Sequence, residues 1–318
     1  MKPVCSIVIR AYNEEQHIQR LLDGIQQQTL KDVQIILVDS GSQDCTVAIA
    51  ERYPVEIVHI APKEFTFGRS LNLGITHAKA DLVVFASAHV YPVYPDWLEK
   101  LLEPFQDERV AVSYGKQRGM ETTQFSEQMI FAHWFPEVSN FNQQHPFSNN
   151  ANAAIRRRLW EQNAYNETLP GLEDLAWARW AQEQGQRIAY VAEAEIIHVH
   201  NESWRGIATR YRREGMAFKT IYPQERFGKR DLIRAFFTNV RTDIVAARKQ
   251  AVLKFVWKSI LGFRWNQFWG TYQGYHQSGP LTWQLKQAFY YPRMTREEQP
   301  VQRKVEPIQY QNLSGKGK

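Results

Sequence analysis

Short apolar runs alternate with helical segments from the start of this chain, and that alternation narrows the fold to one class. Residues 4–10 (VCSIVIR), 33–38 (VQIILV), 55–60 (VEIVHI) and 82–85 (LVVF) have strand length and strand composition. Between the first two, Ile18, Leu21, Leu22 and Ile25 fall on one helical face. Residues 46–52 and 65–78 supply the next helical segments, the former with Asp44 placed as its cap. Runs that are apolar throughout suit strands covered on both faces. Strand and helix repeated at this pitch build a parallel sheet with right-handed crossovers. The expected fold is therefore α/β, a Rossmann-like, mostly parallel sheet with helices on both faces.

The pattern continues less regularly. Helices are expected over 97–105, 121–135, 156–160, 172–184 and 204–222, and strands over 110–115, 187–191 and 196–200. Gly185 closes the fourth of these helices. Residues 230–261 form long amphipathic segments, and 263–275 (FRWNQFWGTYQGY) interleave aromatics with glycine. From about residue 293 the chain is polar and charged, with the composition of a flexible tail.

Charge divides the chain in two. Residues 1–200 carry 17 Lys and Arg against 25 Asp and Glu, whereas 201–318 carry 22 against 8. No run of about 18 apolar residues is present, so no membrane-crossing helix is expected. The N-terminus enters a strand at once without a leader-like cleavage site. Two cysteines, Cys5 and Cys45, have no metal-binding spacing and read as reduced thiols of a cytoplasmic protein.

In open α/β sheets ligands sit beyond the carboxyl ends of the strands. Four loops qualify. Ala11-Tyr12-Asn13-Glu14 follows the first strand, and Asp39-Ser40-Gly41-Ser42 follows the second. Ser87-Ala88-His89 follows the fourth, and Gly171-Leu172-Glu173-Asp174 opens a helix. Each also has a plain structural reading as a cap or turn. A GxGxxG phosphate loop is absent, which argues against a dinucleotide oxidoreductase. His198 and His200 alternate along a strand and so face one way, where with His89 they could hold a divalent ion.

VCSIVIRAYNEE, VQIILVDSGSQDCT, the LNLG of residues 71–74, LVVFASAHVYP, FSNNANAAIRRRLWE and LPGLEDLAWARW, in that order and spacing, resemble glycosyltransferase family 2, the inverting GT-A fold. The VDSGS form is most similar to its rhamnosyltransferase-like branch. The resemblance covers about residues 3–215. It implies a catalytic domain over 1–215, a helical, basic and aromatic extension over 216–292, and a flexible tail over 293–318.

By position, the resemblance places Ala11, Tyr12, Glu14, Asp39, Ser40 and Ser87 at the donor nucleotide. Asn72 joins them, with Arg69 in the role of an arginine that relatives carry at the place of Leu71. Ser87-Ala88-His89 stands where the family has DxD, so both carboxylates are replaced and His89 becomes the candidate metal ligand, aided by His198 or His200. An imidazole ligand favours Mn²⁺ over Mg²⁺. Glu173-Asp174 matches the ED motif, with Asp174 the catalytic base and Glu173 its partner. Asn149, Asn150 and Asn152 are expected to line the acceptor or sugar pocket.

The function so implied is inverting transfer of a sugar from a nucleotide-diphosphate sugar to a glycan or lipid-linked hydroxyl, in cell-surface polysaccharide or glycolipid synthesis. The alternative is a non-catalytic nucleotide-sugar or glycan-binding relative, motivated by the missing DxD carboxylates and opposed by the intact Glu173-Asp174. The basic third is expected at an anionic inner membrane face, or packed on the catalytic domain or a second subunit. No nucleic-acid motif accompanies its charge.

Overall fold

The structure is a computed structural model that describes residues 2–62, 64–200, 202–276 and 305–310. The first half runs β1 (Cys5–Ala11), α1 (Ile18–Gln26), β2 (Val33–Asp39), α2 (Thr46–Ala50), β3 (Val55–His59), α3 (Phe67–Thr76) and β4 (Leu82–Ser87). A tight turn leads into β5 (Val90–Pro92) and α4 (Trp97–Leu102), then β6 (Val110–Arg118) and α5 (Phe125–Trp134). β7 (Asn152–Arg156), α6 (Arg157–Trp160), α7 (Glu173–Glu183) and β8 (Arg187–His198) complete the sheet region. Three long helices follow: α8 (Trp204–Ile221), α9 (Lys229–Lys249) and α10 (Leu253–His276).

The eight strands form one sheet in the order β3-β2-β1-β4-β7-β6-β8-β5. β1 to β4 are parallel, as expected. β7 is antiparallel to both β4 and β6, while β8 runs parallel to β6. The continuous apolar runs have a simple cause. Ile7, Ile9 and Val84 face one buried layer with Leu21, Leu22 and Trp97. Val8, Val83 and Phe85 face the opposite layer with Leu71 and Trp177. Both faces of the central strands are covered, so neither can be polar.

Two readings change. β8 is one strand of 12 residues, where two were expected, because its irregular pairing with β6 lets it bend past Gly115 and continue to His198. Of the tail, residues 305–310 are docked: Ile308 N donates to Val93 O (2.9 Å) and the Tyr310 hydroxyl donates to Pro92 O. The rest of 293–318 lies outside the described residues.

The boundary expected after residue 215 falls inside α8. Leu175 of α7 shares a buried cluster with Phe218, Leu232 and Phe268 of the three long helices. The interleaved glycines of α10 serve this packing: a Cβ at Gly270 or Gly274 would run into the Ala208 or Arg212 carbonyl of α8. Arg264 of α10 grips buried Asp243 of α9 through two 2.8 Å hydrogen bonds, and Ser126 of α5 donates to the same carboxylate at 2.6 Å.

Candidate active site

The carboxyl ends of β1 and β2 carry two loops that hydrogen-bond to each other. Ser40 N donates to Ala11 O (3.0 Å), Asn13 N to Ser42 Oγ (2.9 Å), and Gln43 N to Asn13 Oδ1 (2.8 Å). Asn13 takes the left-handed conformation that this exchange requires (φ 55°). Asp39 is buried and accepts from Gly41 N and Ser42 N, with His59 Nδ1 3.3 Å away. It caps its own turn, the structural reading of that motif. Ser40 Oγ likewise turns inward to Ala11 O, whereas Tyr12 is 55% exposed.

Two expected site residues are structural braces. Asn72 is buried and donates to Tyr165 O and Glu167 Oε1, while Trp160 Nε1 and Tyr165 N donate to its oxygen. All four of its hydrogen-bonding positions are used. Asn152 is fully buried, accepts from Trp97 Nε1, and donates to Lys116 O and Ala194 O. Neither is free to meet a ligand. Arg69 lies outside the cleft lining and sits 3.5 Å from Glu64.

β5 brings the histidines together. Val90 pairs with His198 across the antiparallel β5–β8 ladder, and Val199 N donates to His89 O. The His89 and His198 rings stack at 5.1 Å, and His198 and His200 stand 4.1 Å apart. One nitrogen from each of the three lies within 4.8 Å of the others. Every Nδ1 is engaged by an oxygen: His89 by Glu14, His198 by Gln117, His200 by Glu127, each at 2.7 Å. Glu14 is thus an orienter of His89. These oxygens are acceptors, so the hydrogens sit on Nδ1 and the Nε2 lone pairs face inward. Burial, followed by the neighbouring His200 and His89, pushes His198 well below the ordinary histidine range. Nε2 of His198 and of His200 are 3.0 Å apart, an arrangement of two lone pairs that a cation between them relieves. The donor set fits a divalent metal.

The supporting shell contains residues that the sequence did not single out. Burial alone would raise the Glu127 carboxyl, but the His200 hydrogen bond and the Arg210 charge outweigh it and hold it at about 2. Arg210 of α8 bridges Glu127 (2.6 Å) and Glu202 (2.7 Å). The C-terminal helices therefore buttress the histidine cluster.

A cleft of about 420 Å³ opens beside it, lined by Ser87, His89, Asn149 and Asn150, by Glu173 and Asp174, and by Arg213 and Glu214 of α8. Leu172, in the left-handed conformation (φ 56°), presents the two acids. Such strain in a bulky residue costs on the order of 1–3 kcal/mol and is held by surrounding packing, here the cluster under α8 and α10. The acids have separate fates. Glu173 pairs with Arg10 at 3.1 Å, while the Asp174 carboxylate accepts from two backbone groups, Leu175 N and Asn150 N. Burial, then the Glu173 charge, pushes Asp174 up to about 7, the range of a working base. Arg10 and Arg213 flank the Phe67 ring at 5.2 and 4.6 Å. Glu214 faces the cleft and is raised by burial, an effect that Arg210 and Arg213 moderate.

A smaller chamber of about 140 Å³ adjoins the cleft at Asn149, Leu172 and Glu214, walled by Phe131, Trp134 and Phe218. Among the described residues, the buried amide nitrogens of Gln117 at the chamber and Asn150 at the cleft have no partner. Trp177 is core, donating to Asn163 O.

The chain is similar to known glycosyltransferases in sequence and in fold. The O-antigen chain rhamnosyltransferase RfbN of Salmonella typhimurium is 27% identical over 219 residues, 65% of this chain and 69% of that protein. The O-antigen chain rhamnosyltransferase WbaN of Salmonella anatum is 29% identical over 229 residues, 66% and 70% of the two chains. Among solved structures, the mannosyltransferase PcManGT from Pyrobaculum calidifontis, in complex with GDP-Man and Mn²⁺, superposes with TM-score 0.60 at 16% identity, over 86% of this chain and 87% of that one. TarS of S. aureus in complex with UDP-GlcNAc follows at TM-score 0.53 and 14% identity, over 85% and 91%. These likenesses confirm the GT-A-like fold. The family model for glycosyl transferase family 2 matches residues 6–162, and with the related rhamnosyltransferases it assigns this chain to that family: the protein is a family 2 glycosyltransferase.

Proposed function

We propose that the enzyme transfers a rhamnosyl or related hexosyl group, with inversion, from a nucleotide-diphosphate sugar to a hydroxyl of a growing cell-surface glycan. The names of the Salmonella relatives support the sugar and the product class. The observation that carries the mechanism is that Asp174 and the three-histidine cluster line the same cleft.

An inverting transfer is a direct displacement at the anomeric carbon. One side must remove the acceptor hydroxyl's proton, and the other must stabilise the departing nucleoside diphosphate. Asp174, raised toward neutrality and aimed into the cleft, takes the proton onto a carboxylate oxygen. Asn150 N and Leu175 N hold that carboxylate in place. Arg10 occupies Glu173, leaving Asp174 as the acid of that pair that takes the proton. Tyr12, exposed beside the β1 and β2 ends, offers a stacking surface to the nucleobase, and Ser87 lies along the cleft. His89, His198 and His200 would hold a divalent ion, which supplies positive charge to the donor diphosphate. Nitrogen ligands favour Mn²⁺ over Mg²⁺. Arg213 adds fixed positive charge on the same side. The adjoining aromatic chamber receives the acceptor sugar, with Glu214 and Asn149 at its mouth.

The test is nucleoside-diphosphate release from UDP-, GDP- and dTDP-sugars, each with Mn²⁺, Mg²⁺ or chelator. Release confined to one nucleotide class, dependent on metal and lost in Asp174→Asn, is expected. Binding of a donor without release under any condition would favour the non-catalytic reading.

A further inference from the structure

We propose that the outer face of α9 and α10 seats the enzyme on an anionic lipid bilayer. Its tryptophans lie at the water–lipid boundary and its cations on the headgroups. The face is apolar and exposed in a chain whose other aromatics are mostly packed. Trp257, Leu261, Trp265 and Trp269 recur every fourth residue of α10, with 46, 37, 48 and 39% exposure. They extend over about 18 Å of helix. Trp265 and Trp269 stack at 6.0 Å, and Phe236 of α9 meets Trp265 edge-on at 5.8 Å. Phe237 and Ile233 continue the surface onto α9 at 65 and 55% exposure. Patches of this kind mark contact with a partner or a membrane.

Charge selects the membrane. Residues 229–276 carry nine Lys and Arg against two Asp. Asp243 is buried against Arg264, and Asp231 caps the first turn of α9. The Lys254 and Lys258 ammonium groups lie over the Phe255 and Trp257 rings, at 4.7 and 5.5 Å. At the α9–α10 turn, Arg248, Lys254, Trp257 and Leu253 line an open groove of about 560 Å³ that sets two cations over an apolar floor. That combination fits an anionic headgroup above its acyl chains. A second copy of the chain would set like charge against like. Among the described residues no helix is long and apolar enough to cross a membrane, so the contact lies in the plane of the surface.

The inference is independent of donor and acceptor chemistry, and it is tested without either. The full chain is sedimented with vesicles of phosphatidylcholine alone and with equal parts phosphatidylcholine and phosphatidylglycerol, while tryptophan emission is recorded. Binding to the mixed vesicles, a blue shift, and release by salt are expected. Lys254→Glu with Lys258→Glu should weaken partitioning about thirtyfold, from about 1 kcal/mol per surface cation. Trp265→Ser with Trp269→Ser should weaken vesicle binding and leave only the smaller blue shift of Trp257, while the melting temperature without vesicles stays near the wild-type value, the control for folding. Wild-type protein left in the supernatant at low salt overturns the proposal. So do variants that sediment like wild type, and so does a concentration-dependent dimer, without vesicle binding, that the Trp variant loses.

Discussion

The two sides of the cleft spend their polar groups differently. On the β1–β2 side, Asp39, Ser40, Asn13 and Asn72 hydrogen-bond to their own loops and neighbours. On the α8 side, Gln117 Nε2, Asn150 Nδ2 and Arg213 Nε are left unsatisfied around the cleft and chamber, and Asp174 and Glu214 are raised by burial. The first side is a rigid platform whose backbone is already paid for. The second keeps unspent hydrogen-bonding capacity for something that arrives. Buried polar groups without partners are uncommon in native proteins, so these three atoms, which border the cleft and chamber, are ones that ligand contacts would complete.

The largest test of this contrast is at Asp174. Asp174→Asn should lower turnover by roughly 10²–10⁴-fold while donor still raises the melting temperature. The same group sets the pH profile: Asp174 works ionised, so turnover should rise with pH through about 7 and level above it. Its folded pKa lies above its unfolded value, so its ionisation destabilises the fold as pH rises from the ordinary carboxylate range to about 7. Asp174→Asn should therefore melt higher than wild type at pH 8 and the two should converge below pH 4; no gain at pH 8 would mean the carboxylate is not strained.

Next comes the histidine cluster. Glu127→Gln replaces a carboxylate with an amide at His200 and should weaken Mn²⁺ binding by about 10–100-fold, read by calorimetry, with the donor-side loops unaffected. Undiminished binding would detach Glu127 from the metal site. Glu214→Gln should raise the acceptor KM by about tenfold and leave the donor KM unchanged, from the loss of a charged hydrogen bond; a matching rise in donor KM would erase the distinction between the two sides. The smallest kinetic effect is expected at Asn152→Ala. It should cost about 1–3 kcal/mol of stability by leaving Trp97 Nε1 and two carbonyls without partners, with kcat per folded molecule unchanged.

The platform was readable in the sequence for the reason that makes it rigid. Its strands are buried on both faces and its loops are local, so periodicity and turn chemistry report them directly. His198 and His200 were visible by alternation, and Asp174 by its motif. Asn72 and Asn152 were misplaced because a buried asparagine that braces loops looks, in sequence, like one that meets a ligand. Glu127, Arg210 and Glu214 gave no local signal. On charge-rich α8, Arg210 and Glu214 resemble solvated surface residues, and Glu127 is a lone acid on apolar α5 whose role comes from His200 and Arg210, far away in sequence. β8 was split because Glu193 and Glu195 interrupt its apolar pattern where the strand bends past β6.

The docked segment at residues 305–310 has a consequence for how the protein behaves in bulk. β5 is the terminal strand of the sheet, and Val93 and Pro92 offer carbonyls at its margin. The segment occupies them, with Tyr310 against the Tyr91 ring and in the space that Gly24 leaves by lacking a Cβ. An uncovered border strand recruits strands from other molecules. Removing this short clasp should thus show first as turbidity on standing and poor recovery after concentration, well before any loss of turnover.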